Sequence, residues 1–375
     1  MVRAQGPVYS ESAATRWGIG RLLDYVSNYV HDAMGSMRSQ TNRRQERSEA
    51  ILRLLREYAS SEHEDLLYQM VVTLCRLSAD GTDRGDLKLL NSALKELRYA
   101  FKVFAPYAAT RKVSIFGSAR TPENHARYLE AKKFAELIKN AGWMVITGAG
   151  NGIMRAGHHG ATREASFGVA ISLPFEQTND VIANDAKLVS FKYFFTRKLI
   201  FVKEAHAIIL FPGGFGTQDE GFESITLLQT AKTSPIPIVL CDEPGGKYWK
   251  HWRRYVENEL LGEEMIDADD VHLFKLVDSA EDAVAEIMNF YRRYHSSRYV
   301  GEKLVLRLNE PLRAEAIEEI NGSFADIVQS GQFEQTSGPL DDEEGAHPDK
   351  ARLAFVYDRR GAGRLRLLID RINSL

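Results

Sequence analysis

Apolar residues return at helical spacing through the first third of the chain. Ile51, Leu54, Leu55 and Tyr58 fall at i, i+3, i+4 and i+7, and Leu66, Leu67, Met70, Val71 and Leu74 repeat the stripe. Leu87, Leu90, Leu94, Leu97, Phe101 and Phe104 mark a third helix after the break at Gly81–Gly85. The plain reading is a helical extension that covers the next domain. After Pro106 the period changes: short apolar runs at Val113–Phe116, Met144–Thr147, Val169–Leu173, Ala207–Phe211, Ile236–Cys241 and His272–Leu276 alternate with helical stretches. That alternation predicts a parallel sheet covered by helices on both faces, a fold in which ligands bind outside the carboxyl ends of the strands. Small and polar residues follow five of these runs: Gly117-Ser118, Gly148 to Gly152, Pro174-Phe175-Glu176-Gln177, Pro212 to Thr217, and Pro244-Gly245-Gly246.

Arg292–Val300 reads as a linker. Beyond it, Leu304–Leu308, Ala314–Val328, Gln332–Thr336, Ala351–Tyr357 and Leu365–Ile372 read as strand, helix, strand, strand and helix, with an acidic loop at Gly338–Lys350. The expected organisation is therefore a helical extension over residues 1–110, a Rossmann-like, doubly wound α/β domain over 111–295, and a small α+β domain over 300–375. Within the extension, Met1–Gln40 reads as either a mobile arm or a short amphipathic helix that docks on a partner, and its weak periodicity does not decide between them.

Composition narrows the function classes. At 375 residues, with 44% apolar and 26% charged residues, the chain has the make-up of a globular protein in water, and a formal net charge of −3 gives no electrostatic case for nucleic acid or an anionic membrane. Cys75 and Cys241 stand far apart in apolar runs, which predicts buried, reduced thiols, no disulfide and no metal site. No apolar run is long enough to span a membrane, and Met1–Gln40 lacks the apolar stretch of a secretory signal, so a cytoplasmic location is expected.

The candidate chemistry lies in His206–Thr226, HAIILFPGGFGTQDEGFESIT, where a buried-strand pattern passes through glycines into a helix. Gly213, Gly214 and Gly216 let backbone N–H groups approach an anion closely, and Thr217 is expected to cap the helix whose first turn supplies further donors. Thr217-Gln218-Asp219-Glu220 also matches a capping box, so Glu220 has a plain structural reading. Asp219 reads equally well as a solvated charge, and Arg197 as one charge on a helix face. Placement raises the pair above these readings: Arg197 opens the helix before strand Ala207–Phe211 and Glu220 opens the helix after it, so both belong to the edge that holds the phosphate loop. Gly148–Gly152 lacks the spacing of a dinucleotide fingerprint, and no acidic residue follows as a dehydrogenase needs.

The string PGGFGT with Glu220 three residues after Thr217, and Arg197 upstream, resembles the Lonely guy family. FGSAR at Phe116–Arg120, TGAGNGIMRAGHHGA at Thr147–Ala161 and Leu173–Gln177 are similar to other segments of that family, and the resemblance covers about Val113–Tyr291, in the layout of its longer bacterial branch. It implies hydrolysis of the N-glycosidic bond of a nucleoside 5′-monophosphate, AMP-like or a cytokinin riboside monophosphate, giving free base and ribose 5-phosphate. Glu220 would stabilise the ribose cation. Arg197 would hold the substrate or the departing base and keep Glu220 ionised, and Gly213, Gly214, Gly216 and Thr217 would bind the phosphate. Gly117, Ser118, Gly148, Gly150, Gly152, Lys198 and Asp219 are further nucleotide ligands on this reading. No cofactor is implied, and a homodimer or larger homo-oligomer is. The family's older label, lysine decarboxylase, finds no support in these residues, since no lysine has an evident pyridoxal-phosphate setting. Arg155 stands where relatives commonly carry an acid, which points to a different choice of base. The alternative from another class is a nucleotide-binding sensor or carrier that cleaves nothing.

Overall fold

The computed structural model describes residues 37–58, 63–172, 178–340, 343 and 345–375, in two compact units, Met1–Asn91 and Ser92–Leu375. The Met1–Gln40 segment therefore falls almost wholly outside the described residues, as does the Leu173–Gln177 motif.

In the first unit, α1 (Met37–Tyr58) and α2 (Glu64–Ala79) are joined by a buried Ser48–Tyr68 hydroxyl contact of 2.7 Å and by the Arg56–Glu64 ion pair. Helix α3 (Arg84–Phe104) continues into the second unit, where Phe104 stacks on Phe167 at 4.2 Å. Cys75 is exposed on α2, which corrects the expectation of two buried thiols. Its neighbours Leu74 and Met70 are exposed too, so the apolar run around it is a helix face open to solvent in the single chain.

The second unit is built on a seven-stranded parallel sheet: β1 (Lys112–Phe116), β2 (Met144–Thr147), β3 (Ser166–Ile171), β4 (Leu188–Phe191), β5 (Ala207–Leu210), β6 (Ile238–Cys241) and β7 (Phe274–Val277), in the order β4-β3-β2-β1-β5-β6-β7. The central strands are buried on both faces. Val113, Ile115, Val145, Ile209 and Val239 point into one core, and Ile146, Val169, Ile208, Leu210 and Leu240 into the other. Both-face burial is why these strands read as unbroken apolar runs. Helices α4 (Ala126–Asn140), α5 (Ile153–Ala161), α6 (Phe194–Lys203), α7 (Phe215–Gln229), α8 (Tyr248–Tyr255) and α9 (Ala280–Phe290) make the connections. The strand order reverses between β1 and β5, and a doubly wound sheet opens its ligand crevice at such a switch point.

A four-stranded antiparallel sheet follows: β8 (Tyr294–Val300), β9 (Lys303–Leu308), β10 (Val328–Thr336) and β11 (Ala351–Tyr357), in the order β10-β11-β9-β8, with α10 (Ala314–Ser323) and α11 (Ala362–Ser374). Tyr294–Val300 is thus an edge strand and not a linker. Its sequence, YHSSRYV, is half-polar, and after the buried Tyr294 its residues are half-buried along the sheet edge, paired to β9. The molecule is a Rossmann-like α/β fold with an amino-terminal helical region and a small α+β unit at its carboxyl end. No helix among the described residues is long and apolar enough to cross a membrane.

Candidate active site

Strand β5, buried along its length, delivers Pro212-Gly213-Gly214 to the switch point. Helix α7 begins at Phe215 with Gly214 as its N-cap, and no side chain caps it. This corrects the sequence expectation for Thr217, which lies inside the first turn. The first intrahelical bond runs from Gln218 N to the Gly214 carbonyl, so the N–H groups of the preceding turn have no helical partner. An uncapped, glycine-led helix start leaves backbone N–H donors and the positive end of the helix dipole at the switch point.

The three cradle glycines are not equivalent. A Cβ on Gly213 would fall 2.1 Å from Thr217 Oγ1 and 2.9 Å from Ser118 N, so this position is glycine because the chain itself crowds it. A Cβ on Gly214 or Gly216 would meet nothing within 4 Å. Gly213→Ala is therefore expected to destabilise the fold by about 1–3 kcal/mol, the usual cost of overpacking. Gly216→Ala should leave thermal stability within about 0.5 kcal/mol, as for substitutions in open space, and any loss should be in phosphate-dependent binding. Melting curves of both variants check this, and equal destabilisation would contradict it.

Glu220 sits on the second turn of α7 and is 5% exposed. Since Thr217 is not the N-cap, the capping-box reading of Glu220 falls away. Its carboxylate instead faces α6: Arg197 Nη2 lies 3.9 Å from Oε1, and Lys198 Nζ lies 3.7 Å from Oε2. Lys198 is also held by Asp219 at 2.8 Å and Glu223 at 2.5 Å. Burial raises the Glu220 carboxyl from 4.5 to about 7, against the opposing pull of Lys198 and Arg197. Burial thus works against the expectation that Arg197 keeps Glu220 ionised, while the two cations at nearly 4 Å pull the other way. Arg197 is braced by the rings of Phe194 and Phe201, and its Nη1 lies 4.0 Å from where a Cβ on Gly148 would stand.

The second glycine segment is strapped to the first. Gly152, at φ +60°, passes so close to the loop after β1 that a Cβ would fall 2.2 Å from the Ser118 carbonyl, and Ile153 N donates to that same oxygen. A Cβ on Gly117 would strike Ile153 at 2.7 Å. Gly152 therefore serves close backbone approach, and Gly117 makes room for the Ile153 side chain. Ser118 N donates to the Pro212 carbonyl, which ties this turn to the cradle, and its hydroxyl accepts from Arg120 N. Gly150 offers its carbonyl to Asn179 Nδ2. Arg155, on α5, bridges Glu123 and Asp180, which follow β1 and β3.

Two supporting groups were not legible in the sequence. Asn179 Nδ2 also donates to the Ala149 carbonyl and its amide contacts His158, whose Nε2 meets Thr147 Oγ1 at 3.0 Å; burial holds His158 below its usual range, hence neutral. On the other side, Arg127 donates to buried Asp242, Asp242 accepts from Tyr248 N, and the Tyr248 hydroxyl donates to the Gly213 carbonyl at 2.5 Å. Gly246 hints at this second group, because a Cβ there would collide with the Asp242 carboxylate at 2.2 Å.

Residues 149–287 match the family model described as "Possible lysine decarboxylase". Among curated proteins none matches the chain. Among solved structures, a molybdenum cofactor binding protein from Rippkaea orientalis is 19% identical with a TM-score of 0.32, the match covering 47% of this chain and 94% of that one. The molybdenum cofactor carrier protein of Chlamydomonas reinhardtii is 17% identical with a TM-score of 0.34, over 47% and 94% of the two chains. DNA processing protein A of Helicobacter pylori is 14% identical with a TM-score of 0.34, over 48% and 80%.

Proposed function

We propose, from the match of residues 149–287 to that family model and from the resemblance of the motifs to the Lonely guy family, that the chain hydrolyses the N-glycosidic bond of a nucleoside 5′-monophosphate. The observation that carries this reading is the buried Glu220, held between Arg197 and Lys198 beside an uncapped helix start at the switch point of the sheet.

In the proposed reaction the C1′–N bond breaks and water adds to C1′. The water proton is released as the departing base takes one up, leaving free base and ribose 5-phosphate. Positive charge builds on the ribose as the bond opens, so a carboxylate near C1′ stabilises the transition state more than the ground state. Glu220 supplies that charge. The N–H groups of α7 hold the phosphate, which fixes the ribose against Glu220, and Arg197 orients the base side. Lys198 is occupied by three carboxylates, and its part is to support the charge of Glu220. The carrier reading keeps the cradle and drops the role of Glu220; what favours it is that burial disfavours the charged form of that carboxyl.

Incubation with nucleoside 5′-monophosphates, scored for free base, separates the two. AMP or another monophosphate should be cleaved and its nucleoside should not; equal turnover of AMP and adenosine would remove the cradle from the mechanism. Binding of the monophosphates with no base released from any would leave the carrier reading.

A homodimer or larger homo-oligomer is part of the proposal. Phe215 is 96% exposed at the start of α7, and Phe194 is exposed at the start of α6, an apolar surface beside the crevice that a second copy would cover. Light scattering at micromolar protein should give at least twice the 42.3 kDa chain mass, and a monomer would refute this.

A further inference from the structure

Behind the helix that carries Arg197 lies a cavity of about 660 Å³, within the range of small-molecule sites. It belongs to the opposite edge of the sheet from the cradle, since its wall includes His206 just before β5 and Ile236 just before β6. Three ammonium groups, Lys198, Lys203 and Lys232, line it with one carboxylate, Glu223, and Lys203 is also paired with Glu204 at 2.6 Å. Its remaining wall is largely apolar or aromatic, with Phe195, Leu199 and Tyr291 among the contributors. Further positive charge stands behind that wall, where the Arg111 guanidinium lies 4.0 Å over the Tyr291 ring. His206 and His295, also in the wall, are each pushed down to about 4, first by burial and then by the surrounding cations and histidines, so they remain neutral and leave the lysines as the charged donors.

One wall residue reaches the candidate active site directly. Lys198 lines the cavity together with Glu223, 2.5 Å away, and the same ammonium lies 3.7 Å from Glu220. We propose that this cavity is a second ligand site, for a phosphorylated small molecule with an aromatic or apolar body, and that its occupancy draws Lys198 away from Glu220. The lysines hold the phosphate and the apolar wall holds the body. Four charged groups face Glu220: Arg197 and Lys198 from α6, and Asp219 and Glu223 from α7. Withdrawal of Lys198 leaves Arg197 as the remaining cation among them, so Glu220 holds its proton to higher pH and the proposed hydrolysis slows. Binding stands without the hydrolase reading; only the slowing of turnover rests on it.

The test uses phenyl phosphate, which has no glycosidic bond, titrated calorimetrically into the full chain and into Lys203→Gln/Lys232→Gln. Wild type should show one binding event more than the double variant, or one at least tenfold tighter, the rest being the cradle's. Inorganic phosphate should bind at least tenfold more weakly at that event. Equal stoichiometry and affinity in the two proteins would overturn the site, whether or not AMP is cleaved. Coupling is read by carbon NMR of the Glu220 carboxyl, whose titration should move up in pH with phenyl phosphate, and further in wild type than in the double variant. Equal movement would overturn the coupling. Should the double variant not fold, Lys232→Gln alone, at an exposed loop position, gives the same readouts.

Discussion

Glu220→Gln is expected to cut release of free base by about 10²-fold or more, the scale seen when one preorganised electrostatic group is removed, while the chain stays folded. The substitution keeps the size of the side chain, removes the charge and replaces one accepting oxygen with an amide donor. A helix cap would tolerate this, and the structure has taken the capping role away: Gly214 begins α7, and the Glu220 carboxylate faces Arg197 and Lys198 across the crevice. Arg197→Ala should lose turnover on a similar scale, and the double variant should be little worse than either single one, because groups that act as a unit are not additive. A folded Glu220→Gln protein that releases base at the wild-type rate would end the catalytic assignment.

What could be read from the sequence, and what could not, follows from burial. The central strands were legible because both faces are buried, and Met144–Thr147 and Ala351–Tyr357 match their expected limits. Strand β4 was not, since Leu188-Val189-Ser190-Phe191 is a four-residue edge strand with an exposed serine. Tyr294–Val300 failed for the same reason. The start of α7 was misread because Thr217-Gln218-Asp219-Glu220 carries the letters of a capping box, whereas the backbone turns into the helix at Gly214. The facing of Arg197 and Glu220 was legible, because the α/β rule puts the starts of both helices at one sheet edge. The braces were not. Arg127 and Asp242 are 115 positions apart and His158 and Asn179 are 21 apart, and nothing local in the sequence marks either pair. Glycine alone also proved ambiguous: Gly117, Gly152 and Gly213 answer to crowding by the chain, Gly214 and Gly216 to open space.

Turnover should rise steeply with pH. With the Glu220 carboxyl at about 7 in the folded chain, the ionised fraction grows about tenfold per pH unit below that value and levels off above it. If the carboxylate is the active form, kcat/KM for AMP should climb about 10²-fold between pH 5 and pH 8. The substrate phosphate, with a second ionisation near 6, adds its own inflection, and the residual activity of Glu220→Gln should keep that inflection and lose the one near 7. Stability should move the opposite way. The folded-state value lies above the ordinary carboxylate value of 4.5, so between those limits the folded chain holds more protons than the unfolded one and stability falls as pH rises, then stays flat above about 7. At about 1.4 kcal/mol per pH unit this one group costs on the order of 3 kcal/mol by pH 8. Gln at this position does not titrate, so the melting temperature of Glu220→Gln relative to wild type should be higher at pH 8 than at pH 5. A wild-type rate that is flat from pH 5 to 8, or one that falls as the carboxylate ionises, would contradict an ionised Glu220 at the ribose and point to a proton-donating role for it.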